Sequence, residues 1–437
     1  MAVCNVSDGE YLRHESTRGK DISVYAKNDR YFFGIETGCG YLYRSKDGIT
    51  NWEPTPWSQY LNAGVVWALE SGTILISDRV TDDGLYQMNL YRSVDDGNTV
   101  DLAIPFGGDG FSNDKAFIRH WSVVQASRGT IIVTEYGKPS INSSGRRIFR
   151  SNNDGQTFEK VWDAVEQGEV YTHHHVSCYH EGLGRWVVAC GDGKQYRHLM
   201  ASDEDGIAGS WYNLTQPHRD YDQPTAFIDY GHPTRLLFGS DTTGQVGWLE
   251  AGDVNTGQFG NVLTNWDPRN HHNTCFLIFE HDGVYYACNN VLSASYPRSA
   301  VISVSKDLEH WAIYHRFDNN EEGPLKYAGY SNGKLHLSVS QANGDEFHFI
   351  ISPAQVSTQT TLVVEPGTTN MFEDYRSTLE RNLTGWWFSD LLTTHKITSY
   401  EKFHGDTSLQ LGGILPAGAG NMAAITPYIT VEAGRTY

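Results

Sequence analysis

The chain is short of cysteine, of basic residues and of long apolar runs, and each shortage removes a class of protein. It has six cysteines in 437 residues: Cys4, Cys39, Cys178, Cys190, Cys275 and Cys288. None forms a C-x-x-C pair, which excludes a zinc ribbon and a thioredoxin-like redox site. Most lie in apolar, strand-like runs and read as small buried hydrophobes. Lys and Arg number 33 against 52 Asp and Glu, a formal net charge of −19. That balance repels a phosphate backbone, so nucleic acid is not an expected partner. No apolar run reaches the roughly 18–20 residues that a spanning helix needs, so membrane insertion is not expected either. The start, MAVCNVSDGEYLRHES, has no basic segment followed by an apolar core and does not read as a secretory leader. A cytosolic protein, one released by another route, or a chain shown without its leader would all fit. An extracellular or virion-associated location is the expectation carried forward.

What the chain has in abundance is Gly (44 residues) and aromatics (13%, with 12 Trp and 25 Tyr). This mix favours strands and tight turns, and few segments carry a helical period. The expected class is all-β.

A short phrase recurs: RSKDGITNW from Arg44, RSVDDGNTV from Arg92 and RSNNDGQTF from Arg150, with looser forms ASDEDGIAGSW from Ala201 and VSKDLEHW from Val304. Its serines, Ser45, Ser93, Ser151, Ser202 and Ser305, stand about 50 residues apart, with one double interval. Ser and Asp side chains close a turn onto nearby N–H groups, and Gly supplies a backbone conformation that other residues resist. The Trp or Phe that follows plugs into the sheet. Each unit reads as four short strands, over about 20–57, 62–104, 116–164, 171–215, 222–263 and 270–315, with a seventh unit from Leu325. The fifth unit has lost the phrase. The outer strand of the seventh is expected from the N-terminus. Arg44, Arg92 and Arg150, just before the phrase, read as structural.

The phrase resembles the Asp-box, S-x-D-x-G-x-[TS]-[WF], of the sialidase-like (BNR-repeat) β-propellers. Ser151–Phe158 and Ser93–Thr99 match well; the versions at Ser45 and Ser305 are one residue short. The resemblance covers about residues 1–355 and implies a seven-bladed propeller, with six blades as the alternative, in which the box is structural. A linker over 356–369 leads to residues 370–437. There GDTSLQL (Gly405–Leu411) and ITVEAGRTY (Ile429–Tyr437) resemble strands of a jelly-roll carbohydrate-binding module. That β-sandwich-like piece is too short for a whole module, so it is expected to be a fragment or to be completed by another subunit in a homo-oligomer.

Blades aligned on their first strands place His174-His175-Val176-Ser177-Cys178 over His271-His272-Asn273-Thr274-Cys275 and Asp222-Gln223-Pro224-Thr225-Ala226, with Arg119-His120-Trp121 in the third blade. One position then reads His120, His175, Gln223 and His272. His173 is expected on the rim or in solvent. The ends of the second strands add Glu135, Tyr136, Lys138, Asp192, Lys194, Asp241 and Asn290. First- and second-strand ends meet at one mouth of a propeller, so these polar groups converge on a concave site.

Three readings follow. As a carbohydrate-active enzyme, the chain would act on a polysaccharide, for which family members include glycoside hydrolases and polysaccharide lyases. No clear arginine triad is found, which argues against a sialidase proper, although Glu135-Tyr136 resembles its nucleophile pair. In a lyase, His120 or His175 would be the base, Tyr136 the acid, and Arg119, Lys138 or Lys194 the partner of a uronate carboxylate. Asp192, Asp241, Asn290 and Trp121 would contact sugar. A second reading adds a divalent metal (Mn, Ca or Zn) held by His120, His175, Gln223 and His272, on a resemblance to oligogalacturonate lyases. The third is a non-catalytic glycan- or receptor-binding protein, such as a phage tail protein.

Overall fold

The computed structural model describes residues 3–6, 11–14, 22–36, 39–57, 63–78, 80–82, 85–87, 89–105, 116–118, 120–137, 147–164, 166–168, 173–191, 198–214, 223–240, 246–252, 259–263, 273–291, 300–309, 311–317, 321–341, 346–359, 402–403, 406–409 and 429–431. Among them there is no helix, and seven sheets have four antiparallel strands each. These are the blades of a seven-bladed β-propeller. Blades one to six are built from consecutive stretches of chain, with inner strands Ile22–Lys27, Ala63–Ala68, Val123–Gln125, His173–His180, Pro224–Ile228 and Asn273–His281. Blade seven starts at Glu321–Ser331, and its outer strand is Tyr11–His14, which pairs with Glu346–Ile351. The N-terminal stretch thus closes the last blade.

The chain divides into two compact units, one of residues 7–354 and one of 1–6 with 355–437. In the second, Val3–Val6 pairs with Val356–Gln359, and Asp406–Leu409 pairs with Lys402–Phe403 and Ile429–Val431.

Apolar clusters bridge successive blades. Phe33, Ile35 and Leu42 of blade one pack with Val66, Ile74 and Ile76 of blade two. Leu75 and Leu90 of blade two pack with Ile131 and Val133 of blade three, and Ile132 and Ile148 pack with Trp186 and Met200 of blade four. Blades two and three therefore bury both sheet faces against neighbours, which is why their strands read as near-continuous apolar runs. Cys178, Cys190, Cys275 and Cys288 are buried, and burial pushes the Cys178 and Cys275 thiols up to about 12.

The recurring phrase folds as its chemistry requires. Ser93 Oγ accepts the Gly97 N–H at 2.9 Å, and Asp95 Oδ1 accepts the Thr99 N–H at 2.8 Å. Ser151 and Asn153 do the same for Gly155 and Thr157, both at 3.1 Å. In the shorter first copy, Ser45 serves Gly48 at 3.1 Å. There partial burial pushes the Asp47 carboxyl up, but hydrogen bonds from the Thr50 side chain, the Ile49 and Thr50 N–H groups and Ser45 outweigh it and hold Asp47 at about 2.

The residue before the glycine has a second role. Asp96, Asp154 and Asp205 sit at φ 58°, 59° and 56°. Each receives an arginine from the preceding blade: Arg44 on Asp96 O at 2.9 Å, Arg92 on Asp154 O and Oδ2 at 2.7 Å, and Arg150 on Asp205 O and Oδ2 at 2.8 Å. The arginines before the phrase are thus staples between blades. No helix among the described residues is long and apolar enough to cross a membrane.

Candidate functional site

The inner strand of blade four, His173–His180, is buried along its length. His173 pairs with Gly191 and His174 with Cys190, but Val176 pairs with Ala189, so His175 is the extra residue of a bulge. A bulge sets two residues against one and breaks the alternation of side chains. The His175 ring lies over Gly191, where an added Cβ would stand 2.0 Å from its Nε2. Only glycine leaves room for it.

The same bulge recurs at Gly64, Thr225 and Phe276, the residues skipped between Ala63/Val65, Pro224/Ala226 and Cys275/Leu277. His175 therefore corresponds to Thr225 and Phe276, and the expected match with Gln223 and His272 is corrected. Gln223 and Thr274 instead occupy the place of His173. In blade three, Ser151 pairs with Ile131 as Ser202 pairs with Trp186. Thr134, whose N–H donates to Ser122 O at 2.9 Å, thus matches Ala189. Trp121 then takes the place of His175, and His120 that of His174.

His173 is also not on the rim; it is 2% exposed, as is His175. His173 Nε2 lies 2.9 Å from His175 Nε2, with ring centroids 4.8 Å apart. His175 Nδ1 is 3.2 Å from Pro224 O, an acceptor only, so Nδ1 carries the hydrogen and donates. In the neutral ring Nε2 is then the acceptor, and His173 Nε2–H donates to it. Tyr136, half-buried, lies on His173 with centroids 3.9 Å apart. Trp121 meets Tyr136 edge-on at 5.7 Å and stacks on Phe276 at 5.5 Å and 7°. Blades three and six are not neighbours in the ring, so Trp121 and Phe276 meet across the channel.

At the ends of the second strands, counted from the recurring serine, one place reads Glu36, Asp78, Glu135, Cys190 and Asn289, all buried. The Glu135 carboxylate is fully buried and bound by Arg147, from Nη2 at 2.7 Å and Nε at 3.0 Å. The next place reads Tyr136, Gly191 and Asn290. Asn290 is 1% exposed, and neither amide atom has a hydrogen-bond partner among the described residues. The His120 ring lies edge-on to Trp121 at 4.4 Å, and its backbone oxygen accepts Trp67 Nε1–H at 2.8 Å. Gln223 is buried. Arg119, Lys138, Asp192, Lys194, Asp241 and His272 lie outside the described residues.

Of the sequence-derived set, the structure thus brings together Tyr136, His175, His120 and Trp121, and adds His173 and Phe276. The His-x-His spacing sets His173 on the face of His175 in a regular strand, but its burial and its contact with His175 leave no mark in the sequence.

Of the four residues expected to hold a metal, His272 lies outside the described residues. Both His175 nitrogens are engaged, one by Pro224 O and one by His173. Among the described residues no group of three His, Cys, Asp or Glu side chains is placed to hold an ion.

No family model and no curated protein matches the chain. Among solved structures it is similar to YCF48 from Cyanidioschyzon merolae, at 11% identity over 78% of this chain and 99% of that one, with a TM-score of 0.51. It is similar to a catalytically inactive virginiamycin B lyase from Staphylococcus aureus with quinupristin, at 9% identity over 80% and 99%, with a TM-score of 0.50. A streptogramin B lyase matches at 10% identity over 79% and 98%, also with a TM-score of 0.50. At such identities the likeness shows the fold.

Proposed function

We propose that this protein is a carbohydrate-active propeller that binds a polysaccharide at the channel mouth and cleaves it by proton transfer through Tyr136 and the His173–His175 pair. One observation carries the reading: the 2.9 Å contact between the two imidazoles, fixed by the Pro224 carbonyl on one side and capped by the Tyr136 ring on the other. One imidazole of such a pair would take up the proton. The resulting imidazolium under the Tyr136 ring would favour loss of the phenol proton. A base and an acid are thereby coupled in one stack. The likeness of the recurring turn to the Asp-box of sialidase-like propellers supports a glycan ligand.

The chemistry suited to this stack is elimination at a uronate. The base removes the proton α to the carboxylate, the C–O bond to the leaving sugar breaks, a C=C bond forms, and the acid protonates the leaving oxygen. Arg119, Lys138 and Lys194 are the candidates to face the carboxylate. Glu135 is read as a positioning group, since Arg147 holds its charge and its backbone oxygen accepts the His174 N–H at 3.3 Å. The protein would work outside the cell or on a virion, with residues 370–437 as an added glycan-binding or self-associating piece.

A second reading, binding without turnover, is favoured by the burial of both imidazoles. Incubation with a panel of polysaccharides decides. Ultraviolet absorbance of a conjugated double bond reveals elimination, new reducing ends without it reveal hydrolysis, and retention with neither reveals a binder.

A further inference from the structure

The channel wall of blade six differs from that of blades three and four. Thr274 and Asn290 are directly opposite in the register of the first two strands, so their side chains share one face. Thr274 is fully buried and Asn290 is 1% exposed. Thr274 Oγ1 and both amide atoms of Asn290 lack a hydrogen-bond partner among the described residues. Trp121 Nε1 is a fourth such atom, on the ring that stacks against Phe276, two residues beyond Thr274. Buried polar groups are normally satisfied, and an unpaired set costs stability. A set of this kind persists at functional sites because a ligand completes it.

The chemistry of the set defines that ligand. Asn290 offers a donor and an acceptor, Thr274 offers both on one oxygen, and Trp121 offers a donor. A hydroxyl group also donates and accepts, and it matches all three. A carboxylate only accepts, and would leave Asn290 Oδ1 facing another oxygen. We propose that Thr274, Asn290 and the Trp121 indole N–H form a subsite for an uncharged, hydroxyl-bearing sugar unit, beside the proton-transfer stack. The inference rests on the glycan reading of the mouth and adds the class of sugar that one wall selects. A polymer mixing neutral and uronate units would then place its neutral unit against blade six.

A glycan array carrying neutral and uronate oligosaccharides of matched length, probed with the full chain, tests this. Neutral spots are expected to retain the protein, and Asn290→Ala and Thr274→Val each lower that retention about tenfold. Thr274→Val removes an unpaired buried hydroxyl, so it is expected to melt no lower than the parent while binding less. A merely structural threonine would give the opposite pattern. The inference is overturned if only uronate spots retain the chain, or if neutral binding survives both substitutions. Neutral binding through Asn290 without cleavage of any polymer would remove the catalytic reading and leave the subsite standing. Cleavage that depends on His173, with neutral binding indifferent to Asn290 and Thr274, would do the reverse.

Discussion

His173 and His175 stand two apart in one strand, and their Nε2 atoms face each other at 2.9 Å. Side chains at i and i+2 share a face in a regular strand, but about 6–7 Å separates their Cα atoms. The bulge at His175 and the bare Gly191 beneath its ring allow the closer approach. The first prediction tests that support. Gly191→Ala puts a methyl group where the His175 ring lies. It is expected to cost about 1–3 kcal/mol in urea unfolding and to abolish turnover, with the rest of blade four intact by circular dichroism.

Arg147 and Glu135 form a buried pair at the mouth. Arg147→Leu leaves a carboxylate buried without its cation and is expected to cost about 3–5 kcal/mol. Adding Glu135→Leu should recover most of that loss. A double substitution no more stable than Arg147→Leu alone would show that the pair does not act as a unit.

The blades were legible in the sequence because one phrase needs one turn. Ser, Asp and Gly at fixed offsets have few other uses, and the spacing of their five copies gives the length of one blade. The inner-strand register was not legible. HHVSC and HHNTC look alike, so His175 aligns with His272 and Cys178 with Cys275. The structure sets Cys178 two places after Val176 and Cys275 before the bulge at Phe276. A bulge leaves no mark on composition, and the resemblance of short words outweighed it. The burial of His173 was missed for the same reason. The second aspartate in Asp95-Asp96-Gly97 carried a signal that was overlooked. Its backbone favours the left-handed region, and an arginine about 50 residues earlier recurs with it.

That aspartate gives a separable pair of substitutions. Asp154→Asn tolerates φ 59° and removes the charge that meets Arg92, at an expected cost of about 1 kcal/mol for a partly exposed pair. Asp154→Ala also forces a residue with a Cβ and no compensating side chain into the left-handed region, adding about 1–2 kcal/mol. Equal losses in thermal or urea unfolding would show that only the ion pair matters.

Acid should weaken blade seven. Burial holds the His336 imidazole down at about 4, against 6.5 for an ordinary one, where it lies 3.1 Å from His348 and tilted against the Phe32 ring. Between those values the unfolded chain binds a proton that the folded blade refuses. The stability from the neutral ring is complete above pH 6.5 and is lost as the pH falls toward 4, by about 3 kcal/mol. Burial also lowers His180, beside Asp229, in the same direction. Unfolding free energies across this range should slope less in His336→Leu than in the parent.

The most direct measurement is turnover on a polysaccharide panel by the parent, Tyr136→Phe and His173→Ala. Proton transfer through the stack requires that the parent cleave at least one polymer. Both substitutions should then lower kcat about 100-fold or more, with KM within a few-fold. Cleavage that survives Tyr136→Phe and His173→Ala at the parental rate, or glycan binding by a parent that cleaves nothing, would contradict it.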